Sequence, residues 1–272
     1  MFGHSRQMIY QQEPRAKQCT EKLSRVKEKV ESVRRELPRV GTRKLYFLLK
    51  EQFNGAGIKI GRDALFDFLR AEHMLIKAKK SYTKTTNSKH WLKKHPNLYA
   101  PDRVERTEQY FLSDITYLKT IDSTYYLSLV TDAFSRKIMG YKVSDTLNAE
   151  HMVEALDMAV KNRVTSSDLI HHSDRGLQYA SELYQKRLRK YQIRPSMTDG
   201  YDCYQNALAE RVNGILKNEF LIYKCNSRKD LEKLVEESVR TYNEKRPHLS
   251  LKMQTPNFVH KKTTEQRLSG SF

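Results

Sequence analysis

Three acidic residues occupy sequence settings that suit the binding of divalent cations. Asp114 lies in the middle of the strand-like run 111–117, where alternation predicts an apolar or neutral side chain. Asp174 follows an apolar run that is long enough for a buried strand and too short for a helix, and Glu210 lies in a segment with helical period. Carboxylates from three separate elements offer the oxygen ligands that hard cations prefer and leave positions open for phosphate and water.

The segment around Glu210 predicts an amphipathic helix. One face is apolar and contains Leu208, Val212, Ile215 and Leu216. The opposite face is polar and contains Asn206, Glu210, Asn213 and Lys217. One carboxylate therefore leaves a strand tip and another projects from the polar face of a later helix, with 35 residues between Asp174 and Glu210.

Basic residues are concentrated at one end of the 272-residue chain. Residues 1–100 carry 23 Lys and Arg against 9 Asp and Glu, net +14, whereas residues 101–272 carry 27 against 23, net +4. This imbalance predicts a polyanionic partner, nucleic acid before an anionic membrane surface. No apolar run approaches the roughly 18 residues of a membrane span, and no signal peptide opens the chain. Three isolated cysteines, Cys19, Cys203 and Cys225, favour a reducing cytosol over a disulfide framework or a zinc site.

Residues 1–75 have helical patterns. Apolar positions between Leu23 and Leu37 alternate at spacings of three and four, which fits either packing within the domain or a dimer seam. Helical segments at 42–50 and 62–70 are separated by a glycine-containing turn, which favours a helix-turn-helix DNA-binding domain over a generic three-helix bundle. Residues 76–104 are expected to be a basic linker with scattered aromatics, which either follows a phosphate backbone or is a solvated tether.

Residues 105–265 predict one α/β domain. Strands are expected at 110–121, 125–134, 137–143, 169–172 and 194–197, and helices at 149–163, 177–191, around Glu210 and at 229–242. The order β-β-β-α-β-α-β-α is that of a ribonuclease-H-like catalytic core, in which an antiparallel meander joins a parallel extension in a mixed five-stranded sheet. Residues 266–272 are assigned to a C-terminal tail.

Several short motifs in this chain resemble one family of enzymes. They are Asp114-Ile115-Thr116-Tyr117, His172-Ser173-Asp174-Arg175-Gly176 with Gln178-Tyr179, Cys203-Tyr204-Gln205-Asn206-Ala207 through Glu210, and Tyr242-Asn243 with Arg246-Pro247-His248 and Thr255-Pro256. Together they are similar to the second-reading-frame transposases of the insertion-sequence-three family, relatives of retroviral integrases. Arg39, Gly41, Arg43 and Leu45 also resemble that family's helix-turn-helix module. Phe111 stands where the family usually has Trp, and Gln205 where it usually has Asp.

The resemblance implies a DDE transposase, a polynucleotidyl transferase with Asp114, Asp174 and Glu210 as catalytic metal ligands. The expected cofactor is a pair of Mg²⁺ ions, about 3.5–4 Å apart, with Mn²⁺ as a substitute. The expected partners are double-stranded DNA at the transposon ends and target, a homo-oligomer on that DNA, and the element's upstream-frame product. The expected location is the bacterial cytoplasm at the nucleoid, with no membrane. The DNA contacts are assigned to Asn213, Lys217, Arg43, Lys44 and Arg62.

Other interpretations stay open on the sequence alone. The chain could be a metal-dependent nuclease that cuts without joining, a DNA-binding regulator with a non-catalytic integrase-like domain, or a basic architectural protein. Asp132 is a rival metal ligand, although Arg136 offers it an ordinary partner. His171 and His172 are interpreted as packing or hydrogen-bonding residues rather than catalysts. Arg246 and His248 either contact DNA or follow a simple helix end near Asn243.

Overall fold

The computed structural model describes residues 6–77, 91–121, 123–199 and 203–268, and the chain divides into two compact units, Met1–Lys79 and Lys80–Phe272. The first unit contains helices α1 (Arg6–Glu36), α2 (Thr42–Gly55) and α3 (Arg62–Ala71). Pro38 and Gly41 separate α1 from α2, and Gly57, with φ +67°, forms the turn before α3.

The apolar seam of α1 packs within its own unit. Val26 and Val30 are fully buried, as are Leu45 and Leu65 of the two following helices, and α2 contacts both α1 and α3. Leu23, at the start of the seam, is 36% exposed. The seam therefore supplies the core of a small helical unit, which is the first of its two predicted roles.

The second unit is built on a mixed five-stranded sheet in the order β3-β2-β1-β4-β5. The strands are β1 (Tyr110–Lys119), β2 (Thr124–Asp132), β3 (Ile138–Ser144), β4 (Ile170–Ser173) and β5 (Arg194–Met197). The first three form an antiparallel meander, and β4 and β5 continue the sheet in parallel from β1. The predicted antiparallel meander with a parallel extension is confirmed. Asp122, part of the predicted hairpin turn, lies outside the described residues.

Helices cover both faces of the sheet. They are α4 (Ala149–Lys161), α5 (Leu177–Ala180), α6 (Glu182–Lys190), α7 (Ala207–Ile215), α8 (Arg228–Lys245) and α9 (Pro256–Leu268). Phe111 packs in a core with α4 and α6, whereas its neighbour Leu112 packs with Ala209 of α7 on the other side. Gly140 lets α4 approach the sheet, because a side chain there would overlap the carbonyl oxygen of Ala155. None of the helices that the structure describes is long and apolar enough to cross a membrane.

Several element boundaries differ from the prediction for local reasons. Helix 177–191 is interrupted at Ser181, whose hydroxyl accepts a hydrogen bond from the Tyr184 amide and caps α6. Strand β2 ends at Asp132 rather than residue 134, because the Asp132 carboxylate accepts the backbone N–H of Ser135 and closes a turn. Helix α9 extends beyond residue 265, into the segment predicted as a tail.

Part of the predicted linker belongs to the second unit. The Leu98 amide donates to Ser196 Oγ at 2.8 Å, and the Met197 amide donates to the carbonyl of Pro96 at 3.4 Å. Tyr99 is buried, with its ring centroid 5.0 Å from that of His172. Residues 96–99 therefore cover the edge strand β5, which otherwise presents unpaired backbone groups.

A buried charged cluster attaches α9 to the sheet. His260 Nε2 lies 3.3 Å from Glu108 Oε1, and His260 Nδ1 lies 3.0 Å from the Ser135 hydroxyl, which donates to Asp132 at 2.6 Å. Asp132 Oδ2 also accepts the backbone N–H of Glu108 at 2.7 Å. These contacts occupy Asp132 inside the core, so its rival assignment as a metal ligand is wrong. The hydrogen-bond partners of the Asp132 carboxylate are therefore Ser135 and the Glu108 amide, whereas the sequence suggested Arg136 as its partner.

This cluster gives stability a specific pH dependence. Burial alone would lower the pKa of His260, but the nearby carboxylates of Asp132 and Glu108 outweigh burial and raise the pKa. Burial would raise the pKa of Glu108, yet hydrogen bonds from His260, Thr165 and Val164 lower it to about 2. The His260 contribution is present below its unfolded pKa and is lost as pH rises through the folded value. The Glu108 contribution is lost as pH falls from about 4.5 toward 2.

We expect His260→Gln to destabilise the protein by about 3–5 kcal/mol at pH 6, because the two buried carboxylates lose the cation that lies between them. The difference between wild type and variant should shrink between pH 6 and pH 9, as wild-type His260 loses its proton. Thermal melts across this range measure both effects. A difference that stays constant over these pH values would show that His260 is neutral when folded.

Candidate active site

Asp114 and Asp174 line one cleft at the junction of β1 and β4. Leu112 pairs with His172 in the parallel register of these strands, so continuing by two residues brings Asp114 level with Asp174. The cleft is also lined by Ile115, Tyr117, Leu147, Gly176 and Gln178. Adjacent strands thus place two carboxylates together, as the sequence motifs predict.

The turn after β4 fixes the Asp174 side chain. Its Oδ1 accepts the backbone N–H of Gly176 at 3.0 Å. A Cβ atom at Gly176 would lie only 3.0 Å from the same oxygen, so a side chain there would crowd the carboxylate. Gly176 therefore allows the backbone to approach Asp174 closely and to support it before α5 begins.

Glu210 lies on the exposed side of α7, close enough for its charge to act on Asp114. In the described part of the chain, no three His, Cys, Asp or Glu side chains converge in the arrangement of a metal site. The structure thus brings Asp114 and Asp174 into one cleft with Glu210 beside it, but does not close all three around one point.

The carboxylates in this region raise one another's pKa values. Burial, followed by the charge of Asp174, raises the pKa of Asp114 to about 7, against the opposing effect of an Asn213 hydrogen bond. Burial and the charge of Asp174 likewise raise the pKa of Glu210. Closely placed carboxylates with raised pKa values are the donor set that a hard divalent cation stabilises in its ionised form. The residues present therefore fit such a cation.

The helix that carries Glu210 is attached to β1 next to Asp114. Asn213 Nδ2 donates to Asp114 Oδ2 at 2.8 Å, and Lys217 Nζ donates to Thr116 Oγ1 at 3.3 Å. Burial lowers the pKa of Lys217, while the charge of Asp114 opposes that shift. Asn213 is itself buried, so the structure assigns it to Asp114 rather than to the predicted DNA contact. A polar side chain on this helix is thus buried and supports the site instead of facing solvent.

The two histidines before Asp174 are buried hydrogen-bonding residues. His171 Nε2 lies 2.7 Å from Ser113 Oγ and 2.9 Å from the Tyr184 hydroxyl. His172 Nδ1 lies 2.9 Å from Ser196 Oγ, and its Nε2 lies 3.1 Å from the carbonyl oxygen of Gln205. Burial lowers the pKa of both, to about 3 for His171 and about 4 for His172. They connect β4 to its neighbours, consistent with the packing interpretation.

Three further residues support this region without reaching the cleft. Asn206, predicted on the polar face with Glu210, is buried and donates to the carbonyl oxygen of Ser113 at 3.2 Å. The Gln205 side chain accepts the backbone N–H of Asp199, which holds the loop before α7. Phe111 is fully buried in the sheet core, in keeping with a packing role.

The other predicted DNA contacts lie in the first unit. Arg43 and Lys44 are on α2, and Arg62 is on α3. Arg43 and Arg62 are exposed, and Arg62 Nε lies 2.8 Å from Asp63 Oδ1. The ion pair of Glu219 with Arg246, in the second unit, was not predicted from the sequence. In the sequence, only the motif between Tyr242 and His248 points to this ion pair, and that motif contains Arg246 but not Glu219.

The chain is similar to integrase core domains and to proteins of insertion elements. Two family profiles described as Integrase core domain match residues 105–203 and 191–256. The insertion element IS600 uncharacterized 31 kDa protein of Shigella sonnei is 33% identical over 261 residues, covering 92% of this chain and 93% of that protein. Transposase InsF for insertion sequence IS3A of Escherichia coli is 31% identical, covering 63% of this chain and 60% of that protein.

A solved structure shares the fold. In the simian T-cell lymphotropic virus intasome in complex with PP2A regulatory subunit B56 gamma, one chain superposes with a TM-score of 0.51 and 18% identity. The match covers 82% of this chain and 71% of that one. Identity at this level bears on the fold alone, which agrees with the predicted ribonuclease-H-like core.

Proposed function

Because this chain belongs to the insertion-element transposases with an integrase core domain, we propose that it cleaves DNA at the ends of its element and joins those ends to a second phosphodiester. The observation that carries the chemistry is the pairing of Asp114 and Asp174 in one cleft, with the charge of Glu210 acting on it. A concentration of carboxylates is repulsive to DNA phosphates unless cations are present, so the proposal includes dependence on divalent metal ions.

Asp114, Asp174 and Glu210 are the residues that would hold two Mg²⁺ ions, with Mn²⁺ as a substitute. Such ions lower the pKa of an attacking water or hydroxyl and neutralise charge on the phosphate. The protein's own contribution is to hold these carboxylates in place. Asn213 orients Asp114, and the Gly176 amide orients Asp174. Preorganised ligands of this kind reduce the reorganisation that the reaction requires.

Lys217 supplies positive charge next to the carboxylates. Its ammonium group contacts Thr116 on the strand that carries Asp114, and the site is only partly buried. A DNA phosphate that entered the cleft would meet this charge, which supports its predicted DNA contact. The proposal assigns Lys217 to phosphate binding, and to no proton transfer.

The proposal assigns DNA recognition mainly to the N-terminal unit, as a helix-turn-helix domain. Its two short helices, α2 and α3, follow each other across a glycine turn and carry Arg43, Lys44 and Arg62. The partners in this proposal are double-stranded DNA, further copies of this chain on that DNA, and the upstream-frame product of the element. The proposal includes more than one copy because two element ends are to be cleaved and joined together.

A fragment of residues 1–100 should bind duplex DNA with steep salt dependence. Each phosphate contact releases counterions and adds about −0.9 to the slope of log K against log salt. The complementary fragment, residues 96–272, keeps the segment that packs on β5 and should bind more weakly and with a shallower slope, since it carries net +4 against net +14. Titrations from about 50 to 200 mM salt compare them. Equal affinity and equal slope for both fragments would contradict this division.

A further inference from the structure

A buried ion pair links the end of α8 to the helix that carries Glu210. Arg246 Nε and Nη2 donate to the two carboxylate oxygens of Glu219 at 2.8 and 2.6 Å. The Arg246 side chain is only 3% exposed. A guanidinium held by both oxygens is fixed in orientation as well as in position. It is also inaccessible to DNA, so the alternative that Arg246 contacts DNA is wrong.

Arg246 is attached to the rest of the catalytic unit. Its guanidinium carbon lies 5.9 Å from the ring centroid of Tyr242, and Nη1 lies 3.2 Å from His248 Nε2. Nearby, Asn243 accepts the backbone N–H of Ile138 at 2.9 Å and donates to its carbonyl oxygen at 3.0 Å. The end of α8 is thereby fixed to the first residue of β3, and Arg246 extends this fixed point toward Glu219.

Glu219 lies in a π-helical turn, Leu216–Phe220, that directly continues α7. The Leu221 amide donates to the Leu216 carbonyl at 2.8 Å, the i to i+5 bond of this rare geometry. Lys217 belongs to the same turn, and Asn213 lies one turn earlier. Lys217 lies near the start of this turn and Glu219 near its end, so a contact that holds Glu219 also holds the segment that carries Lys217.

We infer that Arg246 is a positioning residue for phosphoryl transfer. By holding Glu219 it fixes the π-helical turn and the orientation of α7, so that Lys217 and Asn213 reach β1 and Glu210 faces the Asp114–Asp174 cleft. This inference rests on the proposed function. It predicts that Arg246 affects the arrangement of the carboxylates, and hence metal affinity, with little effect on the overall affinity for end DNA, which the proposal assigns mainly to the N-terminal unit.

The test uses Arg246→Lys, which keeps the charge and removes the two-pronged contact, in the full chain. Arg163→Lys is the matched control, because Arg163 is a partly buried guanidinium 3.9 Å from the buried Glu108, away from α7. Arg246→Lys should slow single-turnover cleavage of saturating end DNA about 10–100-fold, as for other residues that orient ligands. It should weaken Mn²⁺ binding, measured by calorimetry without DNA, over the same range, and leave the Kd for end DNA within about twofold.

Glu219→Gln should reproduce these effects, and the double variant should be no slower than the slower single variant, since both changes break one contact. The inference is overturned if Arg246→Lys cleaves as fast as Arg163→Lys, or if it weakens DNA binding while the single-turnover rate is unchanged. A wild-type chain without Mg²⁺-dependent cleavage would contradict the proposed function instead. In that case the Mn²⁺ titration still decides, because equal affinity in wild type and Arg246→Lys, or no binding in either, overturns the positioning role.

Discussion

Glu210→Gln should abolish end cleavage and end joining while leaving DNA binding intact. The substitution keeps the length and polarity of the side chain, and Gln has a helix propensity close to that of Glu. It removes the charge that a hard cation requires from its ligand. We expect both rates to fall by about 10³-fold or more, equivalent to about 4 kcal/mol of transition-state stabilisation. End binding should persist or tighten slightly, because one negative charge near the phosphates is removed.

The control for this change is Glu237→Gln, the same substitution at an exposed position of α8. It should leave cleavage, joining and binding unchanged. A DNA-binding regulator would show no response to either substitution, since it has no cleavage to lose. Cleavage at wild-type rates by Glu210→Gln would rule out the metal-ligand assignment.

Asp114→Asn should abolish cleavage and, in metal-free protein, increase stability at pH 8. The pKa of Asp114 is raised to about 7, so the folded state binds its proton more tightly than the unfolded state does. Stability from this group is therefore lost as pH rises from about 4 to about 7. A pKa shift of this size corresponds to about 4 kcal/mol of unfolding free energy. Because Asp114 is partly accessible to solvent, we expect Asp114→Asn to raise the free energy of unfolding by about 2 kcal/mol.

Asn at position 114 can still accept the hydrogen bond from Asn213, so the attachment of α7 should survive. Melts with EDTA at pH 5 and pH 8 measure the effect, with Asp168→Asn, an exposed carboxyl before β4, as control. Added Mg²⁺ should stabilise the wild type more than Asp114→Asn. If the Asp114→Asn variant is less stable than the wild type at pH 8 without metal, then the charge of Asp114 does not destabilise the folded protein, and this prediction is wrong.

Local sequence patterns predicted the elements that carry the site. Alternation identified β1 with Asp114 inside it, and a short apolar run identified β4 with Asp174 at its end, because both patterns follow from which side chains face the core. The mixed sheet followed from the order of elements. Helical period located α7, although it placed Asn206 and Asn213 on a solvated face, whereas β1 buries both.

The contacts that hold the site depend on residues far apart in sequence. Asp132, Glu108 and His260 meet in the core, yet each has an ordinary local interpretation. Glu219 and Arg246 are 27 residues apart, and the π-helical turn between α7 and Leu221 has no sequence signature that distinguishes it from a continuous helix. Tertiary packing determines these features, so patterns in single segments could not predict them.

The joining reaction distinguishes strand transfer from cleavage alone and from DNA binding alone. Full-length protein and Mg²⁺ would be incubated with an end-labelled duplex that carries the terminus of the element encoding this chain, together with unlabelled DNA. Strand transfer would produce a labelled strand longer than the input, dependent on Mg²⁺ and absent with Glu210→Gln. Labelled fragments that are only shorter than the input would identify a nuclease without joining activity, and bound but unchanged DNA would identify a regulator. Either result would contradict the proposed strand transfer.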